Sequence, residues 1–246
     1  MSALTLELGL GVLMLVIFFA GMLGGAGRRR AGEISVGGLL ALLVASFVLE
    51  PGSSAGRGAL ASWGDARPGL ELLFVQDALA LFAKQVFLLA TFIGAVASLA
   101  PAAGTPFRRR ATEYHLLMLC SLLGMMVLAS ARDLILLFVA FELMSIPLYV
   151  LAGFVKRDPI AVEASLKFFL LGSVSSAVMA YGLSFVYGIA GTTALPGVAR
   201  ASAAGDPLLT LGLLAVLAGF GFKIAAFPFH MWVPDTYEAA STPFVA

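Results

Sequence analysis

The chain has 246 residues, 61% of them hydrophobic and only 12% charged, with a mean hydropathy of +1.02. A soluble domain of this length has no core large enough to absorb that much apolar surface, so lipid is the solvent for most of the chain. The net charge of +1 and the short basic clusters offer no nucleic-acid surface, and the single cysteine, Cys120, leaves no internal disulfide and no cysteine-built metal or iron–sulfur site in this sequence.

About 20 apolar residues cross a bilayer, and seven windows qualify: Leu4–Ala26, Ile34–Leu49, Ala78–Ala100, Tyr114–Ala131, Leu134–Val155, Ile160–Ala190 and Leu208–Val233. The first is not a cleaved signal peptide, because it has no basic n-region and its arginines follow the apolar run. Arg28–Arg29–Arg30, Arg108–Arg109–Arg110 and Lys156–Arg157 fall in alternate connectors, while the other connectors hold only Arg57, Arg67, Arg132 and Arg200. The positive-inside rule puts the arginine-rich loops in the cytoplasm and the N-terminus outside. The Glu50–Asp77 connector, with Pro51, Gly52, Ser53 and Ser54, reads as an external loop. The fold class is therefore all-α, a polytopic membrane protein.

The basic residues inside the apolar windows are Lys84, Lys167 and Lys223, with no arginine among them. Arginine stays charged in proteins, whereas a buried lysine can release its proton, so lysine is the residue a proton path uses. Lys223 lies among Phe220, Phe222, Ile224 and Phe227. Gly219, Gly221, Pro228 and Pro234 around it predict a helix broken near Lys223–Pro228, as in membrane helices that line protein-buried or hydrated cavities. A charge at that depth costs about 2.5–3.5 kcal/mol on insertion scales, and such residues usually serve a function.

Glu142 lies near the middle of the fifth window, with Pro147 five residues on, the same offset that separates Pro228 from Lys223. Each proline predicts a freed carbonyl four residues back, at Leu143 and Ile224, next to the ionisable group; both prolines also read as ordinary helix kinks. His230, two residues past Pro228, is either a proton relay or a residue of the polar boundary beside Trp232 and Asp235. Lys167 has Glu163 one helical turn before it, which allows an ion pair near the cytoplasmic end, while Phe168, Phe169 and Leu170 place it in an apolar setting. Lys84 sits about two turns from the external end of its window and is expected to snorkel to the surface. His115 and Cys120 read as structural, and Leu171–Gly182, rich in Gly, Ser and Ala, reads as a close helix-packing face. The sequence has no phosphate-binding glycine loop, dinucleotide fingerprint or Ser/His/Asp set.

Three stretches carry a family resemblance: FELMSIPLYVLAGF (Phe141–Phe154), EASLKFFLLGSVSSAVMAYGLSFVYGIAGT (Glu163–Thr192) and GFKIAAFPFHMWVPDTYEAASTP (Gly221–Pro243). They resemble the antiporter-like membrane subunits of respiratory complex I, and the SIPLYVLAG continuation is most similar to the subunit N branch of NADH-quinone oxidoreductase. The resemblance implies an inverted-repeat fold with a broken helix in each repeat. It divides the chain into three N-terminal helices (1–113) and a first antiporter-like repeat (114–246), incomplete where the chain stops at TPFVA, so about half a subunit is expected. By motif, Glu142 resembles the fifth-helix glutamate, Lys167 the sixth-helix lysine and Lys223 the lysine beside the seventh-helix break, the groups that carry proton translocation in the family. The resemblance also implies that this chain binds no cofactor, with NADH, flavin, iron–sulfur clusters and quinone held by other subunits. Its expected partners are neighbouring membrane subunits and the bilayer of a bacterial plasma membrane. Two other readings are a subunit of a multi-subunit cation/proton antiporter and a structural membrane subunit whose ionisable residues form only interhelical pairs.

Overall fold

A computed structural model describes residues 4–22, 24–49, 73–99 and 110–240. The described residues form α1 (Thr5–Met22), α2 (Gly25–Val48), α3 (Ala78–Leu99), α4 (Ala111–Ser130), α5 (Leu134–Ala152), α6 (Pro159–Ala190), α7 (Leu195–Ser202), α8 (Pro207–Lys223) and α9 (Val233–Ala239). Six of these helices are long and apolar enough to cross a membrane, and α8, at 17 residues, is a shorter apolar helix. With 32 residues, α6 is about 48 Å long at 1.5 Å per residue, well beyond the bilayer's apolar thickness.

Helix starts follow local chemistry. Asp133, Asp158 and Asp206 cap α5, α6 and α8, their carboxylates accepting from backbone N–H groups of the first turn. Proline occupies the first turn of α6 and α8, where its missing N–H costs nothing. Gly191 ends α6 in the left-handed region at φ 64°, which glycine tolerates best. Gly24, at φ 102°, turns the chain between α1 and α2.

Helices α1–α4 enclose one apolar core that includes Leu10, Ile17, Leu39, Leu88, Leu119 and Leu122. Their outer faces carry exposed large residues such as Val48, Leu79 and Phe82, as a lipid-facing surface requires. On its other side α4 packs against α5, α5 against α6, and α6 against α8. The α4–α5 crossing is close: a Cβ on Gly124 would run into the Met144 backbone and come within 2.8 Å of the Ala140 carbonyl oxygen. Ser121 of α4 donates to the Met144 carbonyl at 3.0 Å. At one end of the bundle three connections meet, through backbone bridges Phe74–Ala131 and Asp133–Ala194 and a 2.5 Å hydrogen bond from the Thr193 hydroxyl to Asp133.

Several expectations change. The second window starts earlier than Ile34, because α2 begins at Gly25; Arg28–Arg29–Arg30 therefore stand in its first turns and not in a loop. Most of the Glu50–Asp77 connector, with Arg57 and Arg67, lies outside the described residues, as do Arg108, Arg109 and the final TPFVA. The Gly/Ser/Ala-rich face does pack closely: a Cβ on Gly182 would stand 2.6 Å from the Gly212 carbonyl of α8.

Candidate functional site

The seventh window breaks where the glycines and prolines place the break. Helix α8 ends at Lys223, residues 224–232 form turns, and α9 resumes at Val233. Ala225 takes a positive φ of 54°, and the Phe227–Pro228 peptide is cis. The end of α8 is closed by its own turn, with the amides of Ile224, Ala225 and Ala226 donating to the carbonyls of Phe220, Phe222 and Gly221. Trp232 adds a side-chain bond from Nε1 to the Phe222 carbonyl at 3.0 Å. This corrects the expected parallel between the two prolines. Pro147 lies inside the continuous helix α5, whereas Pro228 follows a helix that has already ended, so it frees no helical carbonyl at Ile224.

Lys223 Nζ is buried and has no hydrogen-bond partner among the described residues. Three aromatic rings surround it, with centroids of Tyr149 at 5.1 Å, Phe168 at 5.2 Å and Phe141 at 5.8 Å. Glu142, one residue after Phe141, is half-buried and accepts from Ser176 Oγ of α6 at 2.5 Å. Among the described residues no ion pair within 4.0 Å joins Glu142 to Lys223. The two groups therefore share a neighbourhood without a direct pair, the carboxylate being held by a serine and the ammonium by rings. That Ser176 would be the partner of Glu142 was not legible, since the serine belongs to a stretch that reads as packing.

Lys167 is half-exposed and makes two ion pairs, with Glu163 of its own helix at 2.9 Å and with Asp235 of α9 at 2.8 Å. The Glu163 pairing agrees with the i−4 spacing. Asp235, 68 residues away, was not foreseen as a partner. His230 is exposed in the break, its ring 5.8 Å from that of Phe227. It is not brought to Lys223 or Glu142 by any hydrogen bond or ion pair among the described residues.

The expectation for Lys84 is overturned. Its side chain is 0% exposed and forms an ion pair with Glu7 of α1 at 2.6 Å. It also donates to Gln76 Oε1 at 3.3 Å and lies 4.9 Å from the Phe74 ring centroid. A carboxylate inside the bundle supplies the partner that snorkelling would have sought at the surface. His115 is buried, with Nε2 3.4 Å from Ser98 Oγ, in keeping with a structural place.

A bundle of membrane-length helices with one apolar span interrupted at a buried lysine defines a polytopic membrane protein. Comparison with known proteins narrows this class. Residues 131–246, just under half of the chain, match the family described as NADH:quinone oxidoreductase/Mrp antiporter, TM. Over 185 residues it is 44% identical to NADH-quinone oxidoreductase subunit N 2 of Rhizobium meliloti, covering 74% of this chain and 38% of that protein. It is 46% identical over 166 residues to F(420)H(2) dehydrogenase subunit N of Methanosarcina mazei, covering 67% and 33%. In three dimensions it resembles a chain of respiratory complex I from Thermus thermophilus, with a TM-score of 0.75, 30% identity and coverage of 98% and 49%. The chain spans about half the length, or less, of these relatives.

Proposed function

We propose that this chain is part of a proton-translocating membrane subunit of an NADH:quinone oxidoreductase, coupling electron transfer elsewhere in the complex to proton movement through half-buried Glu142 and buried Lys223. The observation that carries this reading is Lys223 itself, a buried amine at the end of a broken helix with no carboxylate on it. A lysine locked in an ion pair holds its proton too firmly to pass it on, whereas one without such a partner can exchange it when water or a carboxylate arrives. In that exchange Lys223–NH3+ gives its proton and becomes the neutral amine, and an ionised Glu142 that receives it becomes the neutral acid. Ser176, which now holds Glu142, must release or share the carboxylate for the two to communicate.

Lys167 is assigned to the mouth of this route. It is half-exposed and already paired with Glu163 and Asp235. His230, exposed in the break, is assigned as a relay between solvent and the broken helix. Pro147 lies within the helix that carries the acid, and Pro228 within the break that follows the base. The subunit works without a redox centre of its own, while flavin, iron–sulfur clusters, NADH and quinone belong to other subunits. Its partners are the neighbouring membrane subunits, in a bacterial plasma membrane, with the N-terminus outside and the arginine-rich segments cytoplasmic. Relatives named for NADH and for F(420)H(2) are similarly close in sequence, so the electron donor is chosen outside this stretch.

The test is Lys223→Met and Glu142→Gln in the intact complex in native membranes. Coupled quinone reduction and proton uptake should fall severely while the assembled complex persists. Normal proton uptake in both variants overturns the reading. The family description also covers Mrp antiporters, which supports a second reading, a subunit of a multi-subunit cation/proton antiporter. A sodium-dependent growth defect with intact respiration would favour that reading.

A further inference from the structure

We propose that Phe141, Tyr149 and Phe168 form an aromatic cage around the Lys223 ammonium, and that the segment after the helix break closes this cage. The inference rests on the reading of Lys223 as a proton-carrying residue. It assigns positioning roles to side chains that the reading does not use.

All three ring centroids lie within about 6 Å of Nζ, the range in which an aromatic face attracts a cation, and the attraction is strongest where water is excluded. Nζ is buried, and no hydrogen bond competes with the rings among the described residues. The nearby carboxylate, Glu142, is engaged by Ser176. Phe141 and Tyr149 are eight residues apart on α5, which brings both to one side of that helix, and Phe168 faces them from α6.

Each ring is fixed by something other than Lys223. Tyr149 meets Phe168 edge-to-face at 4.6 Å, and its hydroxyl fills the space over Gly172, where any Cβ would collide with it. Phe141 packs edge-on against Phe220 at 5.5 Å. Phe168 stacks on Trp232 at 4.3 Å and 14°, and Trp232 is tied to the end of α8 through the Phe222 carbonyl. One turn beyond Trp232, Asp235 is held by Lys167, the residue next to Phe168. The cage is thus built before the break on α5 and α6 and sealed after it by Trp232. A bare apolar pocket would expel the charge; these ring faces give it a place to reside without a fixed anion that would have to be broken away at each turnover.

Fluorination separates a cage from mere packing, because it draws electron density from a ring with little change in size. Mono-, di- and trifluorinated phenylalanine would be placed at Phe141 and at Phe168 in the intact complex, with proton uptake measured against pH in native vesicles. Uptake should fall in a graded way with each fluorine, by about an order of magnitude at the trifluorinated ring, and the pH profile should move in step. Tyr149→Phe, which keeps the ring, should retain most activity, and Tyr149→Leu should not. A flat response through the trifluorinated series at both positions, in a complex where Lys223→Met abolishes uptake, overturns the cage. Normal uptake in Lys223→Met overturns the functional reading beneath it, a separate outcome.

Discussion

Lys84 and Lys223 are both lysines buried within apolar helices, yet the protein treats them in opposite ways. Lys84 sits among α1–α3 with a carboxylate at 2.6 Å and a glutamine oxygen at 3.3 Å. Lys223 sits at a helix break with three aromatic rings and no anion within ion-pairing distance among the described residues. The first charge is neutralised in place. The second is left able to change. In a membrane an ion pair is one of the few ways to keep a charge inside at tolerable cost, and it fixes the proton as well as the helix. An unpaired lysine is less stable, and that is the condition under which it can exchange a proton. The difference separates a lysine that joins helices from one that we propose carries protons, although the two look alike in sequence.

The sharpest way to break this comparison is to remove one partner at each place. Glu7→Ala leaves the Lys84 ammonium buried and unpaired, a change that costs about 3–5 kcal/mol. The expected result is a marked fall in the amount of complex assembled in membranes and in its thermal stability in detergent. Joining it with Lys84→Met, which removes the orphaned charge, should recover most of that loss. Lys223→Met should behave in the reverse sense, keeping assembly and losing proton uptake. If Glu7→Ala assembles normally but loses uptake, Lys84 belongs to the proton route and the contrast fails.

A smaller effect is expected at the cage. Gly172→Ala introduces a methyl group where the Tyr149 hydroxyl lies. Overpacking of this kind costs about 1–3 kcal/mol, and here the rigid Tyr149 ring, whose Cζ and Cε1 are also in the way, must move as a unit. The complex should still assemble, with proton uptake reduced because Tyr149 has shifted from Lys223. Unchanged uptake, with a structure showing Tyr149 displaced, would separate ring position from function.

Much of this arrangement was legible in the sequence, but unevenly. Apolar length alone located the spans, and the cluster of Gly219, Gly221, Pro228 and Pro234 located the break. What could not be read was which face of each helix turns inward. In a soluble helix the polar side marks the surface, but here the lipid face is as apolar as the core, with Leu79 at 76% exposure and Leu88 at 0% on the same helix. Without that contrast, nothing in the sequence joined Glu7 to Lys84 across 77 residues, Ser176 to Glu142, or Asp235 to Lys167. The start of α2 was misplaced for a related reason: arginines at a helix start look like a loop when hydropathy is the only guide.

The weakest expected effect lies at the half-exposed triad, and it tests whether the break is held from outside the cage. Lys167 pairs with Glu163 within α6 and with Asp235 across to α9. Glu163 is 67% exposed and Asp235 44%, so water competes with both, and neither pair should add much stability. They differ in what they connect. Glu163→Gln loosens a contact within one helix and should leave proton uptake near normal. Asp235→Asn releases the tie between α9 and the residue beside Phe168, so uptake should fall modestly, and wild-type uptake should decline in the same direction as salt screens the pair. Equal effects from the two substitutions would mean that Lys167 needs only negative charge nearby; a larger effect from Asp235→Asn would mean that the position of α9, and with it Trp232 over Phe168, is part of what keeps the cage around Lys223 closed.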